Sequence, residues 1–430
     1  MTDGLAGASL AGASLAGALG DVLGPVTIEG LTRLSGGASR ETWSFDAVAP
    51  GGSRTELVLR RDPPGRPSEP GAMSREARVI TGARAAGLAV PEVLISTDEP
   101  ALWGTAGLVM RRVAGETIAR RILRDGAYRQ ARKVLVRQVG AFAAGLHALE
   151  VPGYLPGPDP MTSLRAQLAG FEQASPVFEE AFQALEAGRP PMRRPVIVHG
   201  DLRLGNLIVG PDSLRAVIDW ELVHAGDPAE DLGWFCVKAW RFGVAAPAAG
   251  LSSREELLAA YRAAGGADIT LDELRWWELF GTLRWGVICM SQAQAHLSGE
   301  HRSVELAAVG RRVCEQEWDL LLLLAPDAAA EAAARRPRVT GAARPDPAQH
   351  GRPTASELLE AVQEFLTGQV RPASAGQLAF HARVAANILG IVARELELGA
   401  LPAQAGLADR VAARLAVANP RYFDTTPPAP

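Results

Sequence analysis

A chain of 430 residues with 47 % hydrophobic positions is long enough for two or three globular domains with sizeable cores. Its formal net charge of −4 supplies no basic surplus for a nucleic-acid backbone. Beyond the leader, its longest pure apolar run, Leu320–Ala325, falls far short of the roughly 20 residues that cross a bilayer, so neither nucleic acid nor membrane is an expected partner. Three cysteines, Cys236, Cys289 and Cys314, stand in no metal spacing, and an odd number argues against a disulfide framework; they fit a reducing, cytoplasmic setting.

The first 22 residues repeat Leu-Ala-Gly-Ala-Ser and carry no basic residue, so they lack the positive start of a signal peptide and read as a flexible leader, frayed or weakly helical. Residues 34–43, LSGGASRETW, form a glycine-rich turn. Gly36 and Gly37 let backbone N–H groups approach phosphate oxygens and Ser39 adds a hydroxyl donor; an ordinary hairpin turn fits the same residues. Leu57–Arg61 is a strand, with Arg60 and Arg61 on opposite faces. Pro63–Gly71 is a loop rich in Pro and Gly, and Ser74 starts a helix to about Ala86, with Glu76 in its dipole-favoured first turn. Val90 opens another strand, and Gly107–Val113 is a strand running into a hinge before Glu116. Ala131–Leu149 is helical, with Leu135, Val139, Phe142, Leu146 and Leu149 on one face; His147 falls on the exposed or partly buried flank. Ser175 caps a helix whose first residue is Pro176, and Pro190-Pro191 break the chain.

Val196 to Trp234 is the most informative stretch. The run Val196–Val198 leads into His199-Gly200-Asp201, and Asn206 follows five residues after Asp201. Leu207–Val209 and Ala216–Ile218 flank the turn Gly210-Pro211-Asp212-Ser213, and the second run ends on Asp219. This predicts a strand, a loop and a hairpin. Asp201, Asn206 and Asp219 are hard oxygen donors suited to Mg²⁺ beside phosphates. Asp227, Pro228 and Glu230 carry a helix-start signature.

The pair HGDLRLGN and IDWE resembles the catalytic loop and metal-binding segment of the aminoglycoside phosphotransferase and choline kinase-like branch of the protein-kinase fold, with Gly200 where protein kinases have arginine. The resemblance implies an α+β, bilobal kinase-like fold with a small β-rich N-lobe and a large helical C-lobe, plus a small C-terminal helical module. The corresponding layout is a leader at 1–22, N-lobe at 23–110, C-lobe at 111–325, linker at 326–352, module at 353–423 and tail at 424–430. It implies ATP and Mg²⁺ as cofactors, Asp201 as the acceptor-facing base, and Asn206 and Asp219 as metal ligands. His199 would brace the metal-binding segment, and Asp231 would hydrogen-bond the loop backbone. Gly36, Gly37 and Ser39 would cover the phosphates. The family's strand lysine has no counterpart, because Lys133 and Lys238 are the only lysines; its role falls to Arg60 or is unfilled. Glu76 would pair with that cation. By position, the Arg111 carbonyl and Val113 amide would hold adenine. Arg203 either leans toward the γ-phosphate or is a surface arginine.

Ser252–Ala264, Leu271–Leu297 and Val304–Leu324 read as helices that complete the large lobe, with Trp276, Trp277 and Phe280 packed as an aromatic core. Residues 241–312 hold as many arginines as acidic residues, so a pocket for a polycationic antibiotic is not favoured. Pro326–Arg352 is unpatterned, and the module's helices begin at Ala355, Gln377 and Leu407. The subgroup most resembled is linked to acyl-CoA dehydrogenases. It implies a small-molecule hydroxyl acceptor of hydroxyacyl or other anionic type, with the module packing on the kinase or mediating association with such a dehydrogenase or with a second copy. The alternatives are an antibiotic or sugar kinase, or a nucleotide-binding pseudokinase that recruits partners.

Overall fold

A computed structural model describes residues 15–34, 40–63, 69–100, 103–157, 159–171, 175–301, 304–336, 355–399 and 405–425. Residues 15–23 are helical (α1). Leu15 and Leu19, one turn apart, are fully buried and share a core with Phe45, Leu57, Leu59, Trp103 and Val109. The described part of the expected flexible leader is therefore an apolar-faced helix sealing a sheet. That sheet is antiparallel, in the order β1-β2-β3-β5-β4, from β1 (Thr27–Arg33), β2 (Glu41–Val48), β3 (Arg54–Arg61), β4 (Val93–Thr97) and β5 (Gly107–Arg111). Strand alternation puts Leu57 and Leu59 in the core and sends Arg60 to the other face, where it meets helix α2 (Ala72–Ala85). Helix α2 is capped from a distance: the Met73 and Ser74 amides donate to Asp98.

Further on come α3 (Ala119–Arg124), α4 (Arg129–His147), α5 (Pro160–Ala169) and α6 (Pro176–Ala187). Ser175 caps α6 by accepting from the Phe178 amide, with Pro176 at the first position, as its sequence predicts. The central stretch forms β6 (Val196–Val198), then the hairpin β7 (Leu207–Val209) and β8 (Leu214–Val217), then β9 (His224–Gly226), which pairs with β6. Helices α7 (Ala229–Cys236) and α8 (Arg254–Ala263) follow. A Cβ on Gly140 of α4 would stand 2.8 Å from the Tyr261 nitrogen of α8, so glycine permits that close crossing. His147, expected on a flank, is instead buried at this crossing, because polar partners from α7 and α8 meet its ring.

Two units emerge by compactness. One comprises Met1–Gly157, Met192–Phe235 and Leu251–Leu271; the other comprises Pro158–Pro191, Cys236–Gly250 and Asp272–Pro430. The second unit holds α9 (Leu271–Leu297, all but its first residue), α10 (Val304–Gly310), α11 (Val313–Leu324), α12 (Pro326–Ala334), α13 (Ala355–Phe365), α14 (Gly376–Leu398) and α15 (Leu407–Ala418). On α9, Trp276 and Trp277 pack with Phe280, and the Trp276 indole donates to the Leu185 carbonyl. Two expectations change here. Residues 304–324 are two helices, broken after Gly310. Pro326–Ala334 is helical, since a proline at the first position followed by an alanine-rich run favours helix, and Ala329 and Ala332 are buried. The C-terminal helices pack on α11: Asn419 donates to Glu315, Tyr422 to Asp319, Arg414 pairs with Glu317, and Phe423 meets Trp318.

Candidate active site

The candidate catalytic loop starts at the end of β6. Gly200 has φ 80°, and a Cβ there would lie 2.5 Å from the Leu222 carbonyl oxygen. The position requires glycine both for its backbone and for its space. The amides of His199 and Gly200 donate to the two oxygens of Asp231 on α7, at 2.8 and 3.0 Å. Asp231 is fully buried. Burial opposes its ionisation, but the His147 hydrogen bond and the His199 amide outweigh that and hold its carboxyl below the usual range. His147 Nε2 lies 3.3 Å from Asp231, and Nδ1 lies 2.8 Å from the Tyr261 hydroxyl. Burial pushes that hydroxyl up to about 12, so it stays protonated. Asp231 thus holds the loop backbone as expected, with a histidine and a tyrosine behind it.

The His199 ring is a strut. Its Nδ1 accepts from the Asp201 amide at 3.2 Å, and its Nε2 faces the Ile218 carbonyl at 3.1 Å, which a neutral ring protonated on Nε2 satisfies. The ring therefore ties the catalytic loop to the residue before Asp219. Asp201 itself accepts from Trp234 Nε1 at 2.7 Å, from Arg203 Nε at 3.0 Å and from Asn206 Nδ2 at 2.6 Å. Asn206 is buried, and its Nδ2 also donates to the Asp201 carbonyl at 2.9 Å, which leaves its side-chain oxygen as the outward group.

Asp219 adopts φ 70°, a left-handed backbone that non-glycine residues reach at a cost of about 1–3 kcal/mol and that clusters at functional sites. Burial works against its charge, but Arg60 and then Arg203 hold its carboxyl below the ordinary range. Arg60 bridges two carboxylates, giving Nη2 to Asp219 at 2.7 Å and Nη1 to Glu76 at 2.8 Å, with Glu221 at 3.6 Å. Burial would favour the neutral guanidine, yet Asp219, Glu76 and Glu221 keep it protonated. Arg40 joins the same cluster, pairing with Glu76 and, through Nε, with Asp62 at 3.2 Å and Glu221 at 3.7 Å.

The structure therefore gathers Arg60, Glu76 and Asp219 into one network, and Asp201 and Asn206 into an adjoining one linked through the His199 ring. Gly36, Gly37 and Ser39 lie outside the described residues. Arg111 ends β5 with its side chain half-exposed and paired to Glu92 at 2.8 Å; Val113 follows in the connection to Glu116, which bridges Val209 of β7. Two site residues escape sequence reasoning. Arg40 stands beside the glycine turn, a position that gives a weak signal. Trp234 gives none, because its partner is 33 residues away.

A small antiparallel sheet whose β3 cation pairs with a helix glutamate, joined to a strand, loop and hairpin that carry Asp201, Asn206 and Asp219, is the arrangement of the protein-kinase-like fold. The family model described as the phosphotransferase enzyme family matches residues 30–277, more than half of the chain, and the chain belongs to that family. A second model, of a domain of unknown function, matches residues 372–410. Mouse acyl-CoA dehydrogenase family member 10 is 32 % identical over 196 residues, which are 42 % of this chain and 18 % of that protein. Human acyl-CoA dehydrogenase family member 11 is 27 % identical over 254 residues, 53 % of this chain and 32 % of that protein. The match thus spans a third or less of these relatives' length. Among solved structures, a choline/ethanolamine kinase family protein from Mesorhizobium loti matches with TM-score 0.52 and 20 % identity over 76 % of this chain and 95 % of its own. Spectinomycin phosphotransferase, solved with ADP and spectinomycin, matches with TM-score 0.53 and 12 % identity, covering 73 % of this chain and 97 % of its own. Both likenesses are of fold.

Proposed function

We propose that this protein transfers the γ-phosphoryl group of ATP, with Mg²⁺, to a hydroxyl of a small molecule. The observation that carries this reading is the interlock of Asp201 with Asn206 and of Arg60 with Glu76 and Asp219, in a chain of the phosphotransferase family. Asp201 orients the acceptor hydroxyl and takes its proton as the oxygen attacks phosphorus, while the bond to the β-phosphate oxygen breaks. Asn206, through its side-chain oxygen, and Asp219, held ionised, are an oxygen donor set that fits Mg²⁺. Mg²⁺, when bound, offsets negative charge on the phosphates. Arg60 and Arg40, both anchored on Glu76, supply the cations that grip phosphate, and an arginine fork does so with two N–H groups. Arg203 serves the γ-phosphate from beside Asp201.

The acceptor we infer is a hydroxylated acyl compound or a similar anion. Support comes from the relatives named as acyl-CoA dehydrogenase family members, whose chains include a segment like this one. The test is ATP consumption with hydroxyacyl-CoA, sugar and aminoglycoside acceptors. Hydroxyacyl-CoA turnover is expected, with Asp201→Asn slower by roughly a hundredfold or more, in the range of general-base loss. Equal turnover of variant and wild type would overturn the assignment of Asp201. Mg-ATP binding without turnover on any acceptor would favour the pseudokinase reading instead, to which the arginine in place of the strand lysine lends its one argument.

A further inference from the structure

We propose that Trp234 is a positioning residue for phosphoryl transfer, setting the rotamer of Asp201; this rests on the reading of Asp201 as the acceptor-facing carboxylate. Trp234 is 3 % exposed, and its Nε1 donates to Asp201 Oδ1 at 2.7 Å. It sits one turn beyond Asp231 on α7, so both residues point to the same face of the helix. Helix α7 therefore holds the catalytic loop twice. Asp231 takes the backbone amides of His199 and Gly200, which fixes where the loop runs. Trp234 takes the carboxylate itself, which fixes where Asp201 points.

The other two donors to Asp201 have second duties. Asn206 presents its oxygen to the cation, and Arg203 serves the γ-phosphate, so both are drawn by the incoming nucleotide. An indole N–H is neutral and donor-only, it is no metal ligand, and its single hydrogen is already given to Asp201. It stays on Oδ1 throughout turnover. That leaves Oδ2, which accepts from Asn206 Nδ2 at 2.6 Å and from Arg203 Nε at 3.1 Å, as the oxygen turned to the acceptor hydroxyl once Arg203 is drawn to the phosphate. Loss of the indole N–H frees the carboxylate to swing about its side-chain bonds, and a misaligned base slows the attack without weakening nucleotide binding.

The experiment compares wild type, Trp234→Phe and a chain with 3-benzothienylalanine at 234, in which sulfur replaces Nε1–H and the two-ring shape is kept. Turnover is read with the acceptor that wild type uses best among the hydroxyacyl-CoA, sugar and aminoglycoside compounds, or as hydrolysis of Mg-ATP in water alone where none is used. Expected is a kcat about tenfold or more below wild type in both variants, the size of one hydrogen bond to a charged group, with the KM for Mg-ATP unchanged. The benzothienylalanine chain is expected to melt with wild type, so it decides the matter should Trp234→Phe be unstable. A wild-type kcat in the benzothienylalanine chain overturns the proposal, as does a kcat that falls only together with the melting temperature and nucleotide affinity. Asp201→Asn separates the two readings: if it is inactive while the benzothienylalanine chain is fully active, Trp234 loses its role and Asp201 keeps its own. If Asp201→Asn turns over like wild type, the reading of Asp201 falls first.

Discussion

Gly200 carries two constraints that no side chain can meet together. Its φ of 80° lies in the left-handed region, and its missing Cβ leaves room for the Leu222 carbonyl oxygen 2.5 Å away. Backbone strain alone costs about 1 kcal/mol in that region, and the steric conflict with a carbonyl adds to it. Gly200→Ala is expected to lower the melting temperature and to cut turnover by more than tenfold, because the displaced backbone carries Asp201 with it. Thermal melting and a steady-state assay check this, and an alanine variant with wild-type rates would mean the loop tolerates a shift there. Arg60 illustrates a different point at the same scale. Strand alternation is enough to send it to the face opposite Leu57 and Leu59, but its grip on Asp219, 159 residues further on, is a tertiary fact.

At the scale of elements, α7 is the clamp. A capping aspartate and a proline announce its start in sequence, and Asp227 does accept from the Ala229 amide at 2.9 Å. What no local pattern announces is the column behind it, where Tyr261 of α8 and His147 of α4 back Asp231. That column depends on Gly140 letting two helices cross closely, a property of the packed pair and not of either helix. The folded Asp231 carboxyl lies below its unfolded value of about 3.9, so it contributes stability that is present above that pH and lost as pH falls through the folded value. Wild-type melting temperature is therefore expected to drop below pH about 4. Asp231→Asn should melt lower at pH 7, since an amide offers one acceptor where the carboxylate offers two, and should lose less between pH 5 and pH 3. Parallel melting curves would show this group to be irrelevant to acid stability.

Across the whole chain, the regular periodic stretches were legible and the sharing of cores was not. The hairpin of β7 and β8, the helix cap at Ser175 and the helix from Leu407 all follow from turn chemistry and apolar spacing. A proline- and arginine-rich stretch hid the helix Pro326–Ala334, because an alanine run has helical propensity but no stripe to read. Helix α11 is the larger surprise. Glu315, Glu317 and Asp319 are all buried on it, an arrangement that a sequence reader would assign to a solvated face. Most of their partners arrive from far along the chain, namely Asn419, Arg414, Tyr422, Ser175 and Lys238, and Arg312 joins from one turn away. Taking a hydrogen-bond donor away from a buried carboxylate costs about 1–3 kcal/mol or more. A chain ended after Gly399 is thus expected to melt about 10 °C lower or to aggregate, since several such partners leave at once. An unchanged melting curve would make the last helices an appendage.

The arginine on β3 also changes which reagents can find this protein. Amine-directed nucleotide probes work by acylating the lysine beside the phosphates, and this chain has no lysine before residue 133. Lys133 is exposed on α4, and Lys238 is paired with Asp319 at 2.9 Å. Surveys of cell extracts built on lysine acylation would meet no amine on β3 of the proposed nucleotide site, where Arg60 and Arg40, mostly buried and paired with Glu76, stand instead.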